Sequence, residues 1–164
     1  MQNSNIVIIL LLVLNLCATI WFGALSNKGA NDTVQMENIT FELPKLISEK
    51  VREDISSSII ENFNDRNYEE LYNIFGPAAK AQISKEKSNE AMRKMVDYFD
   101  SIFTAAYTHS EKLSQNGDTQ YLTLYYTVKL SERSKFGQSG TLKVTLAVRG
   151  NEYEIYGFRI NAEG

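Results

Sequence analysis

Residues 120–130 read QYLTLYYTVKL, and this stretch decides the fold. Leu122, Leu124, Tyr126, Val128 and Leu130 alternate with Tyr121, Thr123, Tyr125, Thr127 and Lys129. That two-residue period belongs to a strand with one apolar and one mixed face. Upstream, Asn116-Gly117 is a strong hairpin signal and makes Thr104–Leu113 a second strand. Downstream, the Ser131–Gly140 loop leads to Thr141–Arg149, with Leu142, Val144, Leu146 and Val148 on one side. Gly150-Asn151 then turns the chain into Tyr153–Asn161. There the apolar phase slips from Tyr153 and Ile155 to Phe158 and Ile160, and Gly157 at the slip marks a bulge. The expectation is four antiparallel strands in meander order.

Before Phe103 the period is helical. Pro44 is suited to the first residue of a helix, followed by Ile47, Val51, Ile55 and Ile59 every fourth residue, with Phe63 on the same side. A short second helix carries Tyr68, Leu71, Tyr72 and Phe75, with Asn67 and Glu70 as its cap and Gly76-Pro77 as its stop. The third, starting at Ser84 or Ser88, aligns Met92, Met95, Val96, Phe99, Ile102 and Phe103 on one stripe. Helices first, then a sheet with one apolar face, predicts an α+β domain whose three helices pack on a curved four-stranded antiparallel sheet, giving a cone.

The other end of the chain is of a different kind. Every charged side chain lies from Lys28 onward, and residues 6–25 read IVIILLLVLNLCATIWFGAL. About 20 apolar residues are what a helix needs to cross a bilayer. The expectation is therefore residues 1–5 as a short tail, 6–25 as a transmembrane anchor or signal segment, 26–43 as a polar linker and 44–164 as the folded domain. Ala24-Leu25-Ser26 is an acceptable cleavage site, but the run is longer than a usual signal core, and Trp21 and Phe22 suit an interfacial anchor. Leu16 before Cys17 argues against a lipoprotein, and Cys17 reads as one more apolar residue of a membrane helix. Asn31-Asp32-Thr33 and Asn38-Ile39-Thr40 match the glycosylation pattern. The expected location is a single-pass membrane protein with its body on the periplasmic or extracellular side, secreted if the leader is removed.

Composition excludes several functions. With 17 Lys+Arg against 20 Asp+Glu the net charge is −3, too little positive field for nucleic acid. One His and one Cys build no zinc site, and no disulfide closes within the chain. No phosphate loop, nucleophile elbow or calcium loop is present, and no cofactor is expected.

The helix, short helix, helix, four-strand order resembles the nuclear-transport-factor-2-like (cystatin-like) superfamily of bacterial extracytoplasmic type, as does FNDRNYEELYNIF at residues 63–75. The matching positions are Phe63, Asp65, Tyr68, Leu71, Tyr72 and Phe75, over a resemblance spanning roughly residues 45–161. These are packing positions, so the resemblance implies a fold more than a chemistry. Some relatives are isomerases or lyases that use a carboxylate or His base with a Tyr donor inside the cone. The candidates here are Asp97, Asp100 and His109 with Tyr98, Tyr107 and Tyr126. At 100° per residue Asp97 falls on the solvent face of its helix and Asp100 at the edge. His109 shares a strand face with Tyr107 by simple alternation, and Tyr107, His109 and Tyr126 are the candidate ligand pocket. Tyr121, Thr123, Tyr125 and Thr127 stand on the other face, a composition suited to cross-strand pairing and to an interface. The resulting expectation is a membrane-tethered binding or accessory module, with a second copy or another envelope protein as partner. The alternative is an isomerase- or lyase-like enzyme acting on a hydrophobic small molecule.

Overall fold

The computed structural model describes residues 41–162. The leader, its cleavage site, Cys17, both glycosylation patterns and most of the linker lie outside the described residues. Among the described residues no helix is long and apolar enough to cross a membrane. Phe41 and Leu43 already pack against the core, so the folded body takes in residues assigned to the linker from the sequence.

Helix α1 spans Glu49–Asn64, and Ser48 caps it, its hydroxyl accepting from the Val51 N–H at 3.3 Å. Pro44 therefore does not begin the helix. Its carbonyl closes a turn with the Ile47 N–H at 2.8 Å, and the helix begins after Ser48, whose hydroxyl satisfies a first-turn N–H, that of Val51. Ile55, Ile59 and Phe63 are the buried stripe. At the end of α1 the Asn64 amide donates to the Ile102 carbonyl at 2.8 Å and accepts from the Ile102 N–H at 2.9 Å. One side chain thus satisfies both backbone groups where the sheet begins.

Helix α2, Tyr68–Asn73, is capped as expected, the Asn67 side chain accepting from Glu70 N–H at 3.3 Å. Gly76-Pro77 ends that segment and also opens a single turn, α3, over Pro77–Lys80. Helix α4 runs Lys85–Phe99 from a Ser84 cap, while Ser88 is buried within it. The described residues hold four helical segments where three were expected, because proline at the first position favours a new turn as readily as it stops the old helix.

The sheet has the order β1-β2-β3-β4, with β1 Ile102–Asn116, β2 Thr119–Leu130, β3 Ser139–Arg149 and β4 Glu152–Ala162, all neighbours antiparallel. The domain is α+β. Leu122, Leu124, Tyr126, Val128 and Leu130 join Leu142, Val144, Leu146 and the helical Ile59, Phe63, Leu71, Met92 and Phe99 in one buried cluster. The expected slip on β4 is a bulge. Pairing passes from Thr145 with Gly157 to Leu146 with Ile155, leaving Tyr156 as the extra residue. The free edge of β4 is partly covered by a parallel bridge from Phe75 to Ile155 and a bond from Gly76 N–H to the Ile155 carbonyl at 2.9 Å.

Two expectations fail on β1, both through bulges. The ladder shifts between Ile102 and Thr104, between Tyr107 and His109, and between Lys112 and Ser114. Phe103 is therefore an extra residue at the strand start and is 60% exposed, outside the buried stripe of α4. At Thr108 the same irregularity resets the alternation. Tyr107 pairs with the buried Tyr126, whereas His109 pairs with Tyr125 on the opposite face.

Candidate functional site

On the inner face the structure brings Tyr107 and Tyr126 together, with rings 5.8 Å apart and nearly perpendicular at 73°. Tyr126 is 1% exposed and its hydroxyl donates to the Arg52 carbonyl at 2.9 Å, so burial pushes its pKa well up and keeps the phenol neutral. The Arg52 guanidinium lies 4.3 Å from the centre of the Tyr107 ring and donates from Nη1 to the Ile47 carbonyl at 3.1 Å. Around this pair opens a cleft of about 270 Å³, bordered also by Glu49, Glu53, Ser56 and Ala105. Arg52, Glu49 and Glu53 alternate with the apolar stripe of α1 as the polar positions of a surface helix do. Only the approach of α1 to β1 reveals that they border a cleft.

His109 does not join this cleft. Its ring stacks on Tyr125, centroids 4.3 Å apart and planes within 10°, and Lys143 from β3 places its ammonium 4.8 Å from the centre of the same ring. The Tyr125 hydroxyl donates to Glu111 Oε2 at 2.5 Å, and His109 Nε2 lies 3.7 Å from Glu111 Oε1. Burial first, and then the bond to Glu111, raise the Tyr125 pKa to about 12. Thr108 donates its hydroxyl hydrogen to the Tyr125 carbonyl at 3.0 Å. The Thr108 oxygen, 3.1 Å from His109 Nδ1, is then left to accept from an Nδ1–H. A histidine, a tyrosine, a lysine and a glutamate from three strands are thus locked into one assembly.

The remaining residues singled out for the outer face divide. Tyr121 packs edge to face on Tyr156 at 5.3 Å, and the Tyr156 hydroxyl accepts from Gln82 at 2.5 Å. Thr127 is exposed. Thr123, by contrast, is only 4% exposed and is not available for contact. It sits in a row with Glu111 and Thr145 as register partners, and Thr145 in turn faces Gly157. Beside this row a groove of about 450 Å³ is bordered by Pro77, Ala78, Tyr121, Ala147 and Glu154.

The acidic candidates lie elsewhere. Asp97 is exposed on α4. Asp100 turns the chain at φ 58°, with Arg66 at 3.3 Å and Arg133 at 3.2 Å. Hydrogen bonding from Ser131 and these two arginines hold its carboxyl below the usual range, so it stays ionised and serves as a link between loops. Tyr98 packs on Phe136 at 5.5 Å. The arrangement does not gather Asp97, Asp100, Tyr98 and His109 into one site. Among the described residues no group of His, Cys, Asp and Glu is spaced to hold a metal.

The chain matches no protein-family model, and no curated protein matches it significantly.

Proposed function

We propose that the described residues form a nuclear-transport-factor-2-like cone, tethered by a transmembrane anchor at residues 6–25 outside the cytosol. In this reading it works as a binding or accessory module through the outer face of its sheet. The observation that carries the reading is the contrast between the two faces. Met92, Phe99 and Tyr126 are buried on the inner side, and the Tyr126 hydroxyl is engaged by backbone. The outer face instead presents the His109, Tyr125, Lys143 and Glu111 assembly beside Tyr121 and Tyr156. Preordered aromatic and charged side chains lose little rotamer entropy on contact, which suits a protein interface. The partner is a second copy or another envelope protein, and the tether raises its local concentration.

Tyr107 in the cleft with Glu53 supplies what the alternative, an isomerase- or lyase-like enzyme, would draw on. That reading is the weaker one, because Arg52 lies over the Tyr107 ring.

Crosslinking of the full chain in membranes, unmodified and with Tyr121→Ser plus Tyr125→Ser, tests the interface. Loss of the crosslinked species with far-UV circular dichroism unchanged is expected, and unchanged crosslinks contradict the assignment.

A further inference from the structure

The outer face carries a line of charge across the sheet. His109 pairs with Tyr125, Tyr125 with Lys143 and Lys143 with Arg159, so one transverse row crosses all four strands. Leu142, Val144 and Ile160 next to these cations are buried on the inner side, which turns Lys143 and Arg159 outward. Like charges directly opposite each other in an antiparallel pair are destabilising. Among the described residues neither cation forms an ion pair with a carboxylate. Lys143 is held over the Tyr125 ring, and Arg159 is exposed. Glu111, the acid beside the row, already accepts from the Tyr125 hydroxyl and faces His109.

The surroundings do not restore the balance. Counting Glu111 against Lys143 and Arg159, the row keeps one positive charge in excess, in a chain whose total is −3. Toward the β2–β3 loop the next row is Ala106, Thr127, Thr141 and Asn161, without a carboxylate, and Lys129 is exposed beyond it. Glu132 lies past the strand end, in that loop. In the other direction Glu154 stands opposite Ala147, two rows from Lys143, and accepts from the Ala78 N–H at 3.4 Å. Between them a Cβ at Gly157 would meet nothing within 4 Å, so the surface beside Arg159 is open.

The size and sign of this excess select the occupant. A long polyanion, whether nucleic acid or an anionic bilayer, would run past the row onto Glu111, Glu154 and a chain of net negative charge. A second copy docked by a twofold axis through the row would set Lys143 and Arg159 against their own kind. A short acidic segment covers the row alone. We infer that the outer face receives a carboxylate-rich segment of a partner protein, with two neighbouring carboxylates on Lys143 and Arg159. This gives the partner of the outer-face reading its chemistry, and it rests on that reading.

The full chain, kept in neutral detergent, is titrated with a short rhodamine-labelled peptide alternating glutamate and threonine, and with the same peptide carrying glutamine for glutamate. Anisotropy should show the glutamate peptide binding about tenfold tighter or more, and the advantage should shrink as salt is raised. Lys143→Gln plus Arg159→Gln should abolish it and Lys143→Arg plus Arg159→Lys should keep it. The glutamine pair should unfold at a temperature no lower than wild type, because it relieves a like-charge contact. Equal binding of the two peptides, binding of neither, or binding indifferent to the glutamine pair overturns the inference. Displacement of the peptide by inorganic phosphate or by phosphatidylglycerol vesicles at equal charge concentration overturns it in favour of a small anion or a lipid surface. Crosslinking separates the inference from the reading beneath it. Crosslinked species lost with Tyr121→Ser plus Tyr125→Ser but unaffected by the glutamine pair overturn the inference alone, and species unaffected by either pair overturn both.

Discussion

Single side chains join the separate parts of this domain. Asn64 uses both ends of its amide on Ile102, and Asp100 connects the α1–α2 turn to the β2–β3 loop through Arg66 and Arg133. Because the folded state lowers the Asp100 pKa, its contribution is fully present above the ordinary value of 3.8 and is lost as pH falls through the lower folded value. Urea unfolding of the wild-type chain should therefore show stability declining below about pH 4, and Asp100→Asn should flatten that decline while leaving neutral-pH folding cooperative. An unchanged slope would remove the ionic role. At this scale the sequence was least legible. His109 was placed with Tyr107 by alternation, and one extra residue at Thr108, which nothing in residue type announces, put it on the opposite face. Thr123 likewise carries no mark in the sequence of the burial that its neighbours impose.

Elements were easier to read, because periodicity survives local irregularity. The alternation of β2 and the Met92, Val96 and Phe99 part of the α4 stripe appear where the residue pattern places them, whereas Ile102 and Phe103 already belong to β1 and the hairpin turns one residue later than Asn116-Gly117, at Gly117-Asp118, with Asn116 paired to Thr119. Boundaries moved where a side-chain cap stands past the expected start, as Ser48 does after Pro44. The slip at Gly157 was legible since the apolar phase itself changes there, whereas the β1 bulges at Phe103, Thr108 and Leu113 interrupt a strand with no sustained apolar alternation to break. Two glycines test how elements meet. A methyl group on Gly76 would fall 2.4 Å from the Glu154 Cβ, at the bridge that covers the β4 edge, whereas one on Gly157 meets nothing within 4 Å. Gly76→Ala should cost about 1–3 kcal/mol in thermal or urea unfolding, and Gly157→Ala should stay within about 0.5 kcal/mol of wild type. Equal effects would show that the α2–α3 turn does not hold that edge.

For the whole molecule the apolar inner face and the half-wet outer face divide the work. Burial of an aliphatic or aromatic side chain contributes about 1.5–3 kcal/mol, and the inner face of β2 and β3 supplies the largest share of such residues. That face was legible from the five alternating apolar positions of β2 alone. The cleft beside Tyr107 was not, because its other wall comes from α1, whose polar positions follow the ordinary pattern of a surface helix. If the outer face is where this domain works, contact should follow the face of the sheet on which a probe is placed. A photo-crosslinking residue introduced into the chain at Thr127, and separately at Ala105 beside the inner cleft, measures this directly. Abundant protein adducts from position 127 and few from 105 are the result the account predicts, and adducts from 105 alone would contradict it.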